Sequence, residues 1–281
     1  MNIIHISDLH FGPRHWDGDD KLLLEKINSY KADIVINTGD NTTDGLEDEY
    51  IDASVFLKGI KSEHVISING NHDKRNLRSH ELFTKYIHNA GIIPLPKDAK
   101  TRKKHIYLDR KITNIDNIFT DINFIKEISI NKQKLLIISI DSSELYNDNG
   151  SVEKAILDEV SNKIRGIKHD LSILLTHYSL LGTDDFPLKN SSLLINFVSE
   201  HKIKYVFCGH THQLDLRKTT DIYNGHSFSQ FMCGTLSSCN NPNEDNMFLY
   251  YENFGENNMS IYLTRIFQEM GKLHFREEKV L

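Results

Sequence analysis

The sequence lacks the features of a disulfide-stabilised or membrane-spanning protein. Its 281 residues include three cysteines, an odd number, and none forms a Cys-x-x-Cys pair. No window approaches the roughly 18 consecutive apolar residues that a membrane span needs. Residues 1–10 also lack the basic segment and the cleavage site of a secretion signal. We therefore expect a cytoplasmic protein without a membrane partner, in which Cys208 and Cys233 are small buried hydrophobic residues.

An excess of positive charge is also missing, since the net charge is -6. A protein that grips bare DNA through its phosphates needs a basic surface, so this balance argues against that class while leaving room for a local basic patch. The length is ample for one large domain or two small ones. Because no repeat or linker divides the chain, we expect a single domain over residues 1–281.

Short apolar runs rich in β-branched residues alternate with helical patterns. Each run is bounded by Gly, Asp or Asn, as is typical of strands buried on both faces. The runs cover residues 2–7, 33–39, 64–70, 134–141, 172–177 and 205–209. The helical patterns cover residues 21–31, 46–61, 76–90, 151–167 and 191–201. This alternation predicts an α/β layered domain.

The C-terminal part reads as strands without intervening helices. Asn224-Gly225 is a two-residue hairpin signal between strands predicted at 221–223 and 227–233. Further strands at 247–253, 260–267 and 272–280 would make residues 221–281 an antiparallel addition to a sheet. Residues 124–130 and 134–140 predict another hairpin. Residues 97–123 show no clear period and contain the basic run KTRKKH. They are expected to be either a surface insertion near the site or a partly mobile loop.

Side chains that commonly bind metals follow the predicted strands, where each strand ends. The set is Asp8, His10, Asp40, Asn71, His177, His210 and His212. Ligands of open α/β sheets bind at the carboxyl ends of strands, so we expect these side chains to converge. On extended backbone, residues two apart point the same way, which would aim each two-apart pair at one cavity. The adjacent glycines at positions 39, 70 and 209 would let the chain turn tightly.

The types of these side chains limit the metal. Carboxylate, imidazole and amide oxygen together suit Mn, Fe, Co, Ni or Zn, and the set is too rich in nitrogen for a dedicated Mg or Ca site. One tetrahedral zinc uses about four ligands. Seven donors with one bridging carboxylate would instead serve two metals roughly 3.5–4 Å apart, the geometry of phosphate-ester hydrolysis.

The ordered motifs SDLH, GD, GNHD, TH and GHTH resemble the calcineurin-like metallophosphoesterase superfamily. The resemblance implies a four-layer αββα sandwich of two mixed sheets flanked by helices. It assigns one metal to Asp8, His10 and His212, the second to Asn71, His177 and His210, and the bridging position to Asp40. Two divalent metal ions are expected. We favour Mn²⁺ or Fe²⁺, with Zn²⁺, Co²⁺ or Ni²⁺ as alternatives.

The resemblance also implies a mechanism. A metal-bridging hydroxide would attack the phosphate, and His72 would contact the phosphate and protonate the leaving oxygen. Asp73 would support its loop rather than touch substrate. Arg14, His15 and Trp16 are either a substrate-facing rim or a solvated loop, and Tyr178 either faces substrate or packs. The segment FLYY at 248–251 is either a contact surface or, as we favour, a core strand.

The finer motif details favour phosphodiester substrates. GNHD and the stretch GDNTTDG differ from the protein phosphatase pattern, and no tyrosine follows Asp40 as it does in purple acid phosphatases. The pattern looks most like bacterial phosphodiesterases, including class III cyclic nucleotide phosphodiesterases, so the substrate would be a phosphate ester such as a nucleotide or nucleic acid. The alternatives are a nuclease of the same superfamily and, in another class, a protein-binding scaffold on this fold.

Overall fold

The computed structural model describes residues 1–88, 91–93, 121–182, 187–239, 246–269 and 272–281, and the backbone of 105–108 and 111–114. The strands are β1 (Ile3–Ile6), β2 (Ile34–Asn37), β3 (His64–Ser67), β4 (His105–Leu108), β5 (Lys111–Asn114), β6 (Phe124–Ile130), β7 (Gln133–Ser139), β8 (Ser143–Glu144), β9 (Asn147–Gly150), β10 (Leu171–Leu175), β11 (Tyr205–Cys208), β12 (Asp215–Thr220), β13 (Ser227–Met232), β14 (Asn246–Glu252), β15 (Ser260–Glu269) and β16 (Lys272–Lys279). The α-helices are α1 (Asp20–Ser29), α2 (Glu47–Gly59), α3 (Ser79–Tyr86), α4 (Lys154–Ile164) and α5 (Ser191–Glu200), and one 3-10 turn lies at His72–Lys74.

Two six-stranded mixed sheets form the centre of the fold. In the first sheet β1, β2 and β3 run parallel, and β14, β15 and β16 extend it beyond β1 as an antiparallel meander. In the second sheet β7, β10, β11 and β13 run parallel, with β6 and β12 antiparallel at its two edges. The predicted β6–β7 hairpin is therefore confirmed. Of the C-terminal strands expected to be antiparallel, β14, β15 and β16 are so, whereas β13 runs parallel to β11 in the other sheet.

Alternating side chains of the central strands divide the apolar core into three clusters. On β7, Leu135 and Ile137 pack between the two sheets, while Leu136 and Ile138 pack with residues of α4 and α5. On β1, Ile4 packs with residues of α1 and α2. Successive strand residues point to opposite faces, so each sheet has one face against its partner and one against helices. This order of layers confirms the predicted αββα sandwich.

The predicted boundaries in the hairpin near residue 224 are wrong. The strand expected at 221–223 lies at 215–220, and residues 221–226 form a longer turn in place of a two-residue loop. Asp221 explains the difference, because its carboxylate accepts hydrogen bonds from the backbone amides of Tyr223 and Asn224 at 2.9 and 3.4 Å. Such side-chain capping stabilises a turn and ends the strand.

Residues 97–123 lie largely outside the described residues, including most of the run KTRKKH. Within them, β4 and β5 form a two-stranded antiparallel ribbon that the sequence did not predict. The division into domains stays a prediction. Across the part of the chain that the structure describes, no helix is long and apolar enough to cross a membrane.

Candidate metal centre

The loops that follow the strands place five of the seven donors in left-handed backbone. The φ angles are 54° at Asp8, 49° at His10, 52° at Asp40, 79° at His210 and 57° at His212. Residues with a side chain rarely adopt this conformation, which costs roughly 1–2 kcal/mol each. The expectation that the two-apart pairs lie on extended backbone is therefore wrong: the pairs converge because the loops are coiled. Such strain concentrates at functional sites.

The glycines next to the donors matter mainly because they leave room for neighbouring side chains, and less because they permit unusual backbone angles. A Cβ atom at Gly209 would lie 1.9 Å from Ser7 Oγ, and one at Gly70 would lie 2.1 Å from Asp40 Oδ1. Of the three glycines singled out in the sequence, only Gly39 has a positive φ, at 106°. A side chain at positions 70 or 209 would therefore displace one of the two carboxylate loops.

One group of donors gathers around Asp8. The Nε2 atoms of His10 and His212 lie 2.9 Å apart. Asp8 Oδ1 lies 3.4 Å from His212 Nε2 and 3.8 Å from His10 Nε2. Within the described ranges this buried oxygen has no hydrogen-bond partner. Two ring nitrogens and a carboxylate oxygen thus face one point, as ligands of one cation would.

A second group gathers around Asn71. Its Oδ1 atom lies 3.1 Å from His177 Nε2 and 3.0 Å from His210 Nδ1. Asp40 lies between the two groups, with Oδ2 at 3.5 Å from His177 Nε2 and 3.8 Å from His10 Nε2. The structure therefore brings all seven predicted donors together, three on each side of Asp40.

The electrostatics of the site favour a bound cation. Burial acts to raise the pKa of Asp40, but His177 and His72 outweigh it and hold that pKa well below its usual range. Burial likewise acts to raise the pKa of Asp8, and His212 lowers it to about 2. In the described parts of the chain, no lysine or arginine pairs with either carboxylate. Two buried ionised carboxylates that lack a lysine or arginine partner are costly, so the donors fit divalent metal ions.

The two buried imidazoles differ in protonation: His10 already has the neutral form that a metal ligand needs, whereas His177 would give up a proton on binding a metal. Burial lowers the pKa of His10 to about 3, so this ring is neutral, as a metal ligand must be. Burial acts to lower the pKa of His177 as well, but the Asp40 carboxylate raises it to about 9. His177 Nδ1 lies 2.8 Å from the carbonyl oxygen of Thr38 and donates to it, which directs Nε2 at Asp40 and Asn71.

A buried hydrogen-bond chain supports Asp8 from behind. Thr38 Oγ1 donates to Ser7 Oγ at 2.8 Å, and Ser7 Oγ donates to Asp8 Oδ2. His5 Nε2 lies 3.0 Å from Thr38 Oγ1. Because the threonine proton is used toward Ser7, His5 must be the donor in that contact. The chain fixes the orientation of the Asp8 carboxylate.

Asp73 supports its loop, as expected. One of its oxygens accepts from the backbone amide and the hydroxyl of Thr42 at 3.0 and 2.8 Å. The other accepts from the Asn41 side chain at 2.9 Å and from the Gly70 amide at 2.9 Å. Burial, aided by Asp40, raises the pKa of Asp73 to about 6. These bonds tie the loop after β2 to the loop after β3.

His72 makes three contacts, and the two through its ring nitrogens fix its tautomer. Its backbone amide donates to Asp40 Oδ1 at 2.8 Å, and its Nδ1 lies 2.6 Å from the carbonyl oxygen of Thr43. Since a carbonyl oxygen only accepts, Nδ1 carries the proton. Arg14 Nη1 lies 3.1 Å from His72 Nε2, and a guanidinium only donates, so Nε2 carries the lone pair. His72 also lies near His10 and Asp40 in a group that could hold an ion.

Sequence reasoning left Arg14 undecided and missed Asp148. Arg14 reaches the site, whereas Trp16 is buried and donates to Asp20 at 2.8 Å. Asp148 Oδ1 accepts from Asn71 Nδ2 at 3.3 Å and thereby orients the amide oxygen toward the histidines. Asp148 lies in a polar stretch, NDNG, which carries no sequence signal of a site.

The other open alternatives resolve toward packing. Tyr178 is buried, donates its hydroxyl to the carbonyl oxygen of Asp148 at 2.7 Å and packs 4.2 Å from the His210 ring. Phe248 and Tyr251 are buried in β14, which confirms that FLYY is a core strand. Cys208 and Cys233 are buried, as predicted.

Comparisons with solved structures show that known proteins share this fold. Purple acid phosphatase PPD1 from yellow lupin (Lupinus luteus) seeds is 11% identical, with a TM-score of 0.56, and the match covers 98% of this chain and 52% of that one. GAP50, the anchor in the inner membrane complex of Plasmodium, is 12% identical, with a TM-score of 0.52, and the match covers 100% of this chain and 89% of that one. The 5'-nucleotidase from Candida albicans SC5314 is 12% identical, with a TM-score of 0.50, and the match covers 100% of this chain and 52% of that one. At these identities the likeness concerns the fold alone. No curated protein matches the sequence.

The family comparison is more specific. The family model described as calcineurin-like phosphoesterase matches residues 1–214, a range that contains all seven donors. The match covers well over half of the 281 residues. The chain therefore belongs to the calcineurin-like phosphoesterase family.

Proposed function

We propose that the protein is a dinuclear metal-dependent phosphoesterase that hydrolyses phosphodiester bonds. The observation that carries the proposal is the arrangement of six donors in two groups of three, one on either side of the seventh donor, Asp40. Asp8, His10 and His212 would hold one metal. The second would be held by Asn71, His177 and His210, with Asp40 shared between the two. Mn²⁺ or Fe²⁺ suits this mixture of carboxylate, amide and imidazole.

When bound, two such metals supply Lewis acidity and a nucleophile at neutral pH. The protein's own contribution is to hold the donors in place before substrate arrives, through the loops braced by Asp73 and the hydrogen-bond chain behind Asp8. Preorganised charges of this kind favour the transition state because they need no rearrangement during the reaction.

His72 is proposed as the group that faces the phosphate and protonates the leaving oxygen. For that role its Nε2 atom must take up a proton and lose its contact with Arg14, while Nδ1 keeps its bond to Thr43. The bond from Nδ1 holds the ring plane fixed, so that Nε2 stays directed into the site. His72 is thus distinct from the ligands in role, although it lies close to His10 and Asp40.

The substrate class is tested by comparing bis-p-nitrophenyl phosphate with p-nitrophenyl phosphate in Mn²⁺, with a chelated sample as control. We expect chelator-sensitive hydrolysis with preference for the diester. Preference for the monoester would contradict the diester assignment. Cyclic nucleotides and single-stranded DNA then separate a nucleotide phosphodiesterase from a nuclease. Absence of turnover of every ester by metal-loaded protein would favour a binding role instead.

The number of metals and the role of His72 need a second measurement. Inductively coupled plasma mass spectrometry of the protein reconstituted with Mn²⁺ should give two metal ions per chain. A value of one would contradict a dinuclear centre. His72→Ala should lower the hydrolysis rate and leave the metal content unchanged. His274→Ala, at an exposed position on β16, is the matched control. If His72→Ala empties the site, His72 is a ligand.

A further inference from the structure

Arg14 is a cation that faces the metal centre without a carboxylate partner in the described parts of the chain. Its guanidinium contacts His72 Nε2, a neutral acceptor. By contrast, Arg75 lies 3.2 Å from Asp148 and Arg78 lies 2.7 Å from Glu81. In a chain with more acidic than basic residues, an arginine kept away from carboxylates is available for an external anion.

The backbone around Arg14 is held on both sides. Its amide donates to Thr43 Oγ1 at 3.2 Å, and its carbonyl oxygen accepts from the Cys239 amide at 2.9 Å. The next residues are also anchored, since the His15 ring stacks on Phe11 at 4.0 Å and the Trp16 amide donates to Ser237 at 2.8 Å. A long side chain on an anchored backbone loses less freedom when it binds a ligand.

The contact with His72 is weaker than the one that a phosphate could offer. A guanidinium has five N–H donors in a planar fork, which matches two oxygens of a phosphate. A neutral imidazole nitrogen accepts only one hydrogen bond and carries no charge. A phosphate group placed at the donor cluster would therefore compete successfully for Arg14 Nη1.

We propose that Arg14 binds a non-bridging oxygen of the substrate's phosphoryl group, and that this contact removes the guanidinium from His72 Nε2. The inference rests on the proposed function, because it assumes that a phosphate ester occupies this centre. Arg14 would then be a substrate-binding residue that also leaves the proton-carrying position of His72 open.

The test measures binding rather than turnover. Isothermal titration calorimetry of Mn²⁺-loaded protein with inorganic phosphate compares the native chain with Arg14→Gln, Arg14→Lys and Arg276→Gln, at metal contents shown to be equal. Arg276 is the matched control, because it is exposed on β16, the outermost strand of the first sheet. We expect Arg14→Gln to weaken phosphate binding about tenfold to a hundredfold, the scale of a hydrogen bond to a charged group. Arg14→Lys should lose less, and Arg276→Gln should lose nothing.

The outcomes separate the inference from the proposed function. Equal phosphate affinity of Arg14→Gln and the native chain at equal metal content overturns the inference, even if the native protein hydrolyses esters. A loss of phosphate affinity in a protein that hydrolyses no ester supports the inference as a phosphate site and rejects the enzyme. Where esters are hydrolysed, the KM of Arg14→Gln should rise. If Arg14→Gln does not fold, Arg14→Lys carries the comparison, and an affinity equal to that of Arg276→Gln would count against the proposal.

Discussion

The two sheets contribute unlike chemistry to the same centre. The loops after β1, β2 and β3 of the first sheet provide Asp8, His10, Asp40 and Asn71, and therefore both carboxylates among the seven donors. The loops after β10 and β11 of the second sheet provide only imidazoles: His177, His210 and His212. The difference teaches that neither sheet alone carries a complete site, and that bound metals would join the two sheets.

The two contributions also differ in burial and support. The Asp8 side chain is fully buried, whereas the His212 side chain is 14% exposed. The first sheet's loops are tied together by Asp73 and by the chain through Ser7. The second sheet's His177 depends on a bond to Thr38, which belongs to the first sheet. Of the seven donors, His210 and His212 are partly exposed, whereas His177 and the four donors of the first sheet are buried.

Among substitutions that test this difference between the sheets, Asp40→Asn should have the largest effect on metal content and hydrolysis. It keeps the shape of the side chain and removes the charge shared by the two groups. We expect loss of both metals and a fall in hydrolysis of more than about 10³-fold, the scale of removing a central catalytic group. Metal analysis and diester assays check this, with Asp215→Asn on β12 as the control. Two retained metals in Asp40→Asn would contradict the bridging role.

A change on the imidazole side should remove one metal and leave the other. His212→Ala takes a ring nitrogen from the group around Asp8, and the group around Asn71 keeps its donors. Metal content should fall from two per chain toward one, and hydrolysis should drop strongly because the proposed mechanism uses both metals. Loss of both metals together would show that the two groups do not act as separate positions.

A smaller effect is expected when the support behind Asp8 is removed. Ser7→Ala deletes the hydroxyl that donates to Asp8 and accepts from Thr38. Partners behind a ligand typically contribute tenfold to a hundredfold in metal affinity. Chelator competition should therefore show a weaker metal near Asp8 and an unchanged one near Asn71. An affinity equal to that of the native chain would mean that Ser7 only fills space.

The smallest effect is expected at Cys208. The residue is buried in β11, and its sulfur makes a weak contact with the carbonyl oxygen of Phe231 at 3.8 Å. Cys208→Ser should leave metal content and hydrolysis unchanged, because the thiol lies in the packed core rather than among the donors. A large loss of activity, with the melting temperature unchanged, would point to a functional thiol.

Much of the architecture could be predicted because buried strands leave a strong pattern. The predicted helices at 21–31 and 191–201 correspond to α1 and α5 within a few residues, and the runs at 33–39 and 205–209 contain β2 and β11. The seven donors could be found because strand ends in an α/β fold meet at one edge. Side-chain identity and position were enough for that step.

The loop conformations and the supporting residues could not be predicted. Left-handed backbone at Asp8 and His212 is maintained by contacts between distant segments rather than by local preference. Asp148 lies in a hydrophilic stretch, and its importance comes only from its distance to Asn71. The same holds for Arg14, whose role depends on where His72 lies. Such residues are defined by tertiary geometry and leave no periodic pattern.

The first loop of the site has a consequence for the order of events during synthesis. The carbonyl oxygen of Asp8 accepts from Thr235 Oγ1 at 2.7 Å across 227 positions of the chain, and the Leu236 amide donates to the carbonyl oxygen of Ser7 at 2.8 Å. The strand that carries this loop, β1, is also flanked by β14. Contacts so distant in sequence form late. A ribosome that has released only the family-matched residues 1–214 would hold a chain whose Asp8 loop is not yet closed.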